Sequence, residues 1–170
     1  IKPIQPSTQK GIGDDAAVMH YGDKRTLVTT DLLLEGIHFN LEYAPLKHLG
    51  YKAAVVNFSD IYAMNGTPTQ ITVSLGISKR FSVEDLEELY AGIRLACERY
   101  NVDLVGGDTS ASMTGLTISI TCLGTAYDSD IVYRNGAKVN DLICVTGNLG
   151  TAYMGLQLLE RERIVMQAND

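Results

Sequence analysis

Apolar positions along this chain change period several times, and each change marks an expected element. Residues 16–21 read as a short strand, Gly22-Asp23-Lys24 as a turn, and residues 26–30 as a second strand, giving a hairpin with Asp31 just past its end. Residues 1–10, with their Pro, Gln and Ser, read as loop, and residues 32–39 as a loop with apolar anchors. A long helix is expected over 45–64, with Pro45 at an early position. Leu46, Leu49, Ala53, Val56, Asp60 and Met64 recur there at steps of three and four, which puts Asp60 on an apolar face with Asn57 nearby. Asn65-Gly66-Thr67-Pro68 ends that helix, Asn or Gly suiting a left-handed cap.

A strand follows over 70–77, alternating Ile71, Val73, Leu75 and Ile77. Ser82 with Glu84 and Asp85 behind it is a helix start, and Leu86, Leu89, Tyr90, Ile93, Ala96, Cys97 and Tyr100 continue at helical spacing. Residues 102–105 read as a strand running into Gly106-Gly107-Asp108, and Leu116, Ile118, Ile120 and Cys122 alternate along another. Asn135-Gly136 marks a turn, residues 141–146 a strand, and Gly147-Asn148-Leu149-Gly150 the approach to a last helix. That closing stretch is expected to begin a second domain.

Composition narrows the class. Of 170 residues, 45% are hydrophobic and 20% charged, so a buried core is expected rather than disorder. The net charge of −6 leaves no basic stripe to meet nucleic-acid phosphates. Cys97, Cys122 and Cys144 are scattered, which suits reduced thiols in the cytoplasm better than a disulfide framework or a zinc site. No run approaches the roughly 20 apolar residues that span a bilayer. The start lacks both Met and a signal-peptide pattern, and is expected to lie inside a longer chain.

The candidate chemistry is acidic. Asp14 and Asp15 stand side by side behind Gly11-Ile12-Gly13, and adjacent like charges are costly unless solvent, a cation or a donor answers them. Asp31, Asp60 and Asp108 each follow an apolar segment. Singly these are ordinary: Gly-Asp-Asp is more often a solvated turn, Asp31 a cap, Asp60 half of a buried ion pair, Asp108 part of a tight turn. Repetition shifts the odds toward carboxylates converging on magnesium that carries a nucleotide's phosphates. No Walker loop, protein-kinase set or Gly-x-Ser-x-Gly motif is present.

Taken in order, GIGDDAAV, TTDLLLEGIHF, HLGYKAAVVNFSDIYAMNG, LVGGDTS and YRNGAKVNDLICVTGNLG resemble bacterial thiamine-monophosphate kinases, members of the superfamily typified by aminoimidazole-ribonucleotide synthetase. The resemblance covers residues 11–160. It implies an α+β domain over 1–137, a two-layer sandwich of a mixed sheet with helices on one face. That sheet would pair across a homodimer into a barrel-like core, and a truncated α/β domain would begin at 138. It implies ATP-dependent phosphorylation of thiamine monophosphate to thiamine diphosphate, by direct in-line transfer assisted by several Mg2+ ions. Asp15, Asp31, Asp60 and Asp108 would be metal ligands, with Asp14 and Thr30 beside them. Thr29, Tyr90, Gly107, Asp108 and Arg134 would meet the nucleotide, and His38 the thiamine phosphate. The chain stops before the family's Ser-Asp-Gly-Leu motif, so this piece is expected to dimerise and turn over little substrate. The alternatives on the same framework are selenophosphate synthetase and aminoimidazole-ribonucleotide synthetase; the former expects a reactive Cys near the first glycine motif, and none precedes Cys97. A silent nucleotide-binding domain would have no reason to keep mutually repelling acids.

Overall fold

The computed structural model describes residues 4–167. Six strands form one mixed sheet: β1 (Thr8–Lys10), β2 (Ala17–His20), β3 (Arg25–Leu34), β4 (Thr67–Ile77), β5 (Asp103–Ala111) and β6 (Leu116–Ala126), in the order β1-β2-β3-β6-β4-β5. Helices α1 (Leu46–Ala63) and α2 (Val83–Tyr100) pack against each other, and α1 lies on β3, β6 and β4. The sheet is antiparallel except for β4 and β5, which run parallel and are joined through α2. β6 alternates buried and half-buried residues along its whole length, and Ile118, Ile120 and Cys122 meet Leu75, Val73 and Ile71 of β4 under the helices. Phe58 and Ile61 of α1 and Leu89 and Ile93 of α2 complete that core. The α+β reading holds.

Local chemistry marks the start of α2 and the end of α1. At α2, Ser82 Oγ accepts from the Asp85 amide (3.2 Å) while Asp85 Oδ2 accepts from the Ser82 amide (2.8 Å), the reciprocal capping box. At the end of α1, Asn65 takes a left-handed conformation (φ 57°), with Asn65 N donating to Tyr62 O and Gly66 N to Ile61 O. Pro45 precedes α1 as its cap residue. The helices approach closely because glycines face each other. A Cβ on Gly50 would lie 2.0 Å from Leu89 O, and one on Gly92 would lie 1.9 Å from Lys47 O.

Several expectations change. Residues 8–10, read as loop, form β1 on the edge of the sheet. β3 does not stop before Asp31 but runs to Leu34, ten residues paired without a break from Arg25–Ala126 to Leu34–Thr117. Asp31 lies inside it, opposite Ile120. β5 likewise continues through Gly106-Gly107-Asp108, because β4 offers a parallel partner as far as Ile77–Ala111. The buried face of α1 is Leu49, Gly50, Ala53, Ala54, Asn57, Phe58 and Ile61, so Asn57 is the buried polar residue and Asp60 sits half-buried at its margin. Residues 141–146 are not a strand; the segment is exposed and pairs with no strand among the described residues. The last helix is present as α3 (Thr151–Gln167), tied to the β3–α1 loop by Tyr43 OH donating to Glu160 Oε1 (2.6 Å) and by Arg163 beside Glu42. Residues 1–3 of the N-terminal segment lie outside the described residues.

Candidate functional site

Among the described residues, Thr29 and Asn57 are the polar residues buried as a whole, and both lie where β3 faces α1. β3 and α1 lie against each other there. Past the end of β2, no strand among the described residues covers the edge of β3, so its backbone needs another partner. Asn57 supplies one: its Oδ1 accepts from the Asp31 amide (3.1 Å) and its Nδ2 donates to Ala53 O (3.0 Å). Thr29 Oγ1 donates to Asp60 Oδ2 (2.7 Å). Burial, and then the charge of Asp60, push the Asp31 carboxyl above the ordinary carboxylate range, while His38 pulls it back.

The Gly-Asp-Asp loop closes over the same end. The Asp14 carboxylate is 2% exposed and already answered, by Lys10 Nζ (3.2 Å), the Arg134 amide (3.2 Å) and the Asp15 amide (3.3 Å). Burial pushes its carboxyl up, but these donors outweigh it and hold it below the usual value. Asp15 is met by Arg134 Nη2 at 2.6 Å. That hydrogen bond, then the charges of Asp15, Asp14 and Asp60, strengthen the proton hold of the guanidinium. Asp14 is therefore an anchor of the loop, whereas Asp15 is paired to an arm whose side chain is 62% exposed.

His38 lies beyond the far end of β3. Gly36 (φ +79°) turns the chain, His38 N donates to Leu34 O (2.9 Å), and the ring Nδ1 accepts from the Leu34 amide (3.0 Å). The ring lines a cavity of about 750 Å³ between this loop, α1 and α3, with Tyr43, Lys52, Tyr153 and Arg163 among its walls.

Other expected site residues are elsewhere. Thr30 faces the opposite side of the sheet from Thr29, its hydroxyl donating to Ile120 O and accepting from Thr121. Asp31, Ile120, Val73 and Gly107 stand in one row across the sheet, so Asp108 falls on the other face. Three strand spacings, about 14 Å, separate β3 from β5 as well. Within one chain Asp108 does not join Asp15, Asp31 and Asp60. It shares a second recess, of about 510 Å³, with Tyr90 and Gly107. Gly107 is required by the sheet itself, since a Cβ there would lie 1.8 Å from Val73 O, while Gly106 has open space. No group of three or more His, Cys, Asp or Glu stands ready to hold a metal ion among the described residues. The sequence reading also passed over Lys52, whose Nζ donates to His38 O (2.9 Å). A lysine in a helix ordinarily reads as solvated, so nothing in the pattern singles it out.

No helix among the described residues is long and apolar enough to cross a membrane. Residues 13–126 match the family model of the AIR synthase related protein, N-terminal domain. The thiamine-monophosphate kinase of Bacillus subtilis (strain 168) is 37% identical over 159 residues, which is 92% of this chain and 48% of that protein. The enzyme of the same name from Aquifex aeolicus (strain VF5) is 40% identical over 154 residues, 91% of this chain and 49% of that one. A solved structure described as AaThiL complexed with AMPPCP and TMP superimposes with a TM-score of 0.83 at 40% identity, covering 89% of this chain and 48% of that chain. The chain thus spans about half the length of the curated relatives it matches.

Proposed function

The chain belongs to the AIR synthase related family, as its N-terminal domain, and from that premise we propose that it serves ATP-dependent phosphorylation of thiamine monophosphate to thiamine diphosphate. The observation that carries this reading is the cluster at one end of β3. Asp31 and Asp60 lie side by side on β3 and α1, Arg134 pairs with Asp15 while feeling the charge of Asp60, and the His38 cavity opens past the end of the strand. The relative solved with AMPPCP and TMP supports the same pair of ligands.

The donor set suits Mg2+, which prefers carboxylate and hydroxyl oxygens and leaves room for phosphate. Burial and the charge of Asp60 raise the Asp31 carboxyl, so a cation would be drawn to the pair. Bound there, Mg2+ would neutralise charge on the transferring phosphoryl group. Asp15, Asp31 and Asp60 would hold it, with Asp14 fixing the loop rather than ligating. Arg134 would leave Asp15 for the nucleotide's phosphates, its planar fork matching their oxygens. His38 would hold the acceptor phosphate, an oxygen of which attacks the γ-phosphorus in line. That oxygen is already ionised at neutral pH, so no strong general base is needed.

Asp108, Thr30, Gly107 and Tyr90 would act from a second copy. Helices cover one face of the sheet, and β5 leaves its outer edge open. A homodimer joined through that bare face and edge would bring the recess of one copy to the acids of the other. Residues 138–170 would begin the second domain. The test is turnover of the complete protein with ATP and thiamine monophosphate, followed by the appearance of thiamine diphosphate. An Mg2+-independent rate, or no diphosphate formed, rejects the reading.

A further inference from the structure

α1 runs back along β3 and the loop that follows it, and its polar side chains grip that segment in sequence order. Asp60 takes Thr29 Oγ1 (2.7 Å), Asn57 takes the Asp31 amide (3.1 Å), and Lys52 takes His38 O (2.9 Å). One rigid helix thereby sets the distance between the carboxylate cluster and the cavity holding His38. At the cavity end, Gly36 N donating to Phe39 O (2.8 Å) and Ile37 N to Leu34 O (3.1 Å) shape the loop around His38. His38 N and its ring Nδ1 both bond back to Leu34, and the Lys52 ammonium holds the His38 carbonyl from the other side. Because Nδ1 accepts, the neutral ring carries its proton on Nε2, which is then the atom presented as a donor.

We infer that Lys52 is a positioning residue for His38: by holding the His38 carbonyl it keeps the ring seated on the Leu34 amide, which sets the tautomer, and at its distance from the Asp31–Asp60 pair. The inference rests on the phosphotransfer reading for its consequence, but not for its geometry. A donor held in place contributes through orientation, and a shift of about 1 Å in such a group costs up to a hundredfold in rate. Loss of Lys52 should therefore lower kcat for thiamine monophosphate about ten- to hundredfold, leave the KM for ATP unchanged, and matter little once His38 is gone.

Two measurements on the complete protein decide it. The first needs no turnover: 15N spectra of the imidazole rings above pH 8, where His38 is identified by its absence in His38→Gln. The expected wild-type pattern is a pyridine-type Nδ1 and a pyrrole-type Nε2, averaged toward each other in Lys52→Met and restored in Lys52→Arg, which keeps a donor. The second is a kinetic cycle of Lys52→Met, His38→Gln and the double variant, in which the two effects should fail to add. An unchanged ring pattern in Lys52→Met overturns the inference. So does a rise in acceptor KM alone that adds fully to that of His38→Gln, since it would mean that Lys52 binds the acceptor itself. Should the wild type make no thiamine diphosphate, the phosphotransfer reading fails while the ring spectra still decide the role of Lys52.

Discussion

Truncating Asn57 to Ala removes the one side chain that joins the helix layer to the backbone of β3 at the acidic cluster. Asn57 is 0% exposed, and its Oδ1 is the partner of the Asp31 amide. Leaving that N–H buried and unpaired costs about 1–3 kcal/mol. The missing amide group leaves a small cavity under α1, worth about 1 kcal/mol more. The bond from Nδ2 to Ala53 O falls on a helix carbonyl and adds little. Asn57→Ala should thus lose about 2–4 kcal/mol, or about 5–15 °C in melting temperature for a chain of this size. Asn57→Asp keeps the acceptor and the shape but puts a third carboxyl beside Asp31 and Asp60. A carboxyl whose pKa in the folded state lies above its unfolded value binds its proton more tightly when folded. The deficit of Asn57→Asp should therefore be small at pH 4 and grow as pH rises toward 8, in the direction already set by Asp31. Urea denaturation at several pH values measures both. A loss below about 0.5 kcal/mol for Asn57→Ala, or a deficit in Asn57→Asp that shrinks with rising pH, would refute the clamp.

Gly92→Ala gains about 1 kcal/mol of helix propensity but sets a Cβ 1.9 Å from Lys47 O, so it should destabilise by about 1–3 kcal/mol net. Gly155→Ala in α3, where nothing lies within 4 Å, should not destabilise; equal losses in urea melts would contradict the close helix approach. Burial pushes the Cys122 thiol up to about 12 and raises Cys97 as well, whereas Cys144 is exposed. A disulfide reagent at pH 8 should modify one thiol quickly and the others only after unfolding, and two fast thiols would be inconsistent with that packing. Arg134→Met should bind ATP less tightly but free Mg2+ more tightly, because the guanidinium that now meets Asp15 competes with a cation. Calorimetry with each ligand separately checks the opposite signs, and parallel weakening of both would refute the exchange.

What could be read from the residues followed from how local each signal is. The Ser82 cap with its acidic first turn and the alternation of Leu116 to Cys122 need no distant partner to be recognised, and both stand as expected. Strand ends are different. Leu32-Leu33-Leu34 carries no alternation, and only pairing with Ser119, Ile118 and Thr117 makes it strand. Gly106-Gly107 looks like a turn, yet Gly107 serves the close passage of β5 along Val73. Steps of three and four along α1 fit two neighbouring stripes, and the one through Asn57 is the one that packs. The structure brings Asp31 and Asp60 beside each other, and Asp15 beside Arg134. Asp108 resembled them because its flanking residues look alike, while the strand order places it on the other face. Residues 141–146 have the composition of a strand and no neighbouring strand to pair with among the described residues.

The long pairing of β3 with β6 has a bearing on how the protein is made. Leu34 meets Thr117 and Arg25 meets Ala126, so β3 leaves the ribosome well before the strand that will flank it. Until then its Thr and Asp side chains have only α1 to lean on, and α1 itself is translated later. The acid-bearing end is thus assembled last from pieces made first, which favours slow, non-local folding over quick local closure.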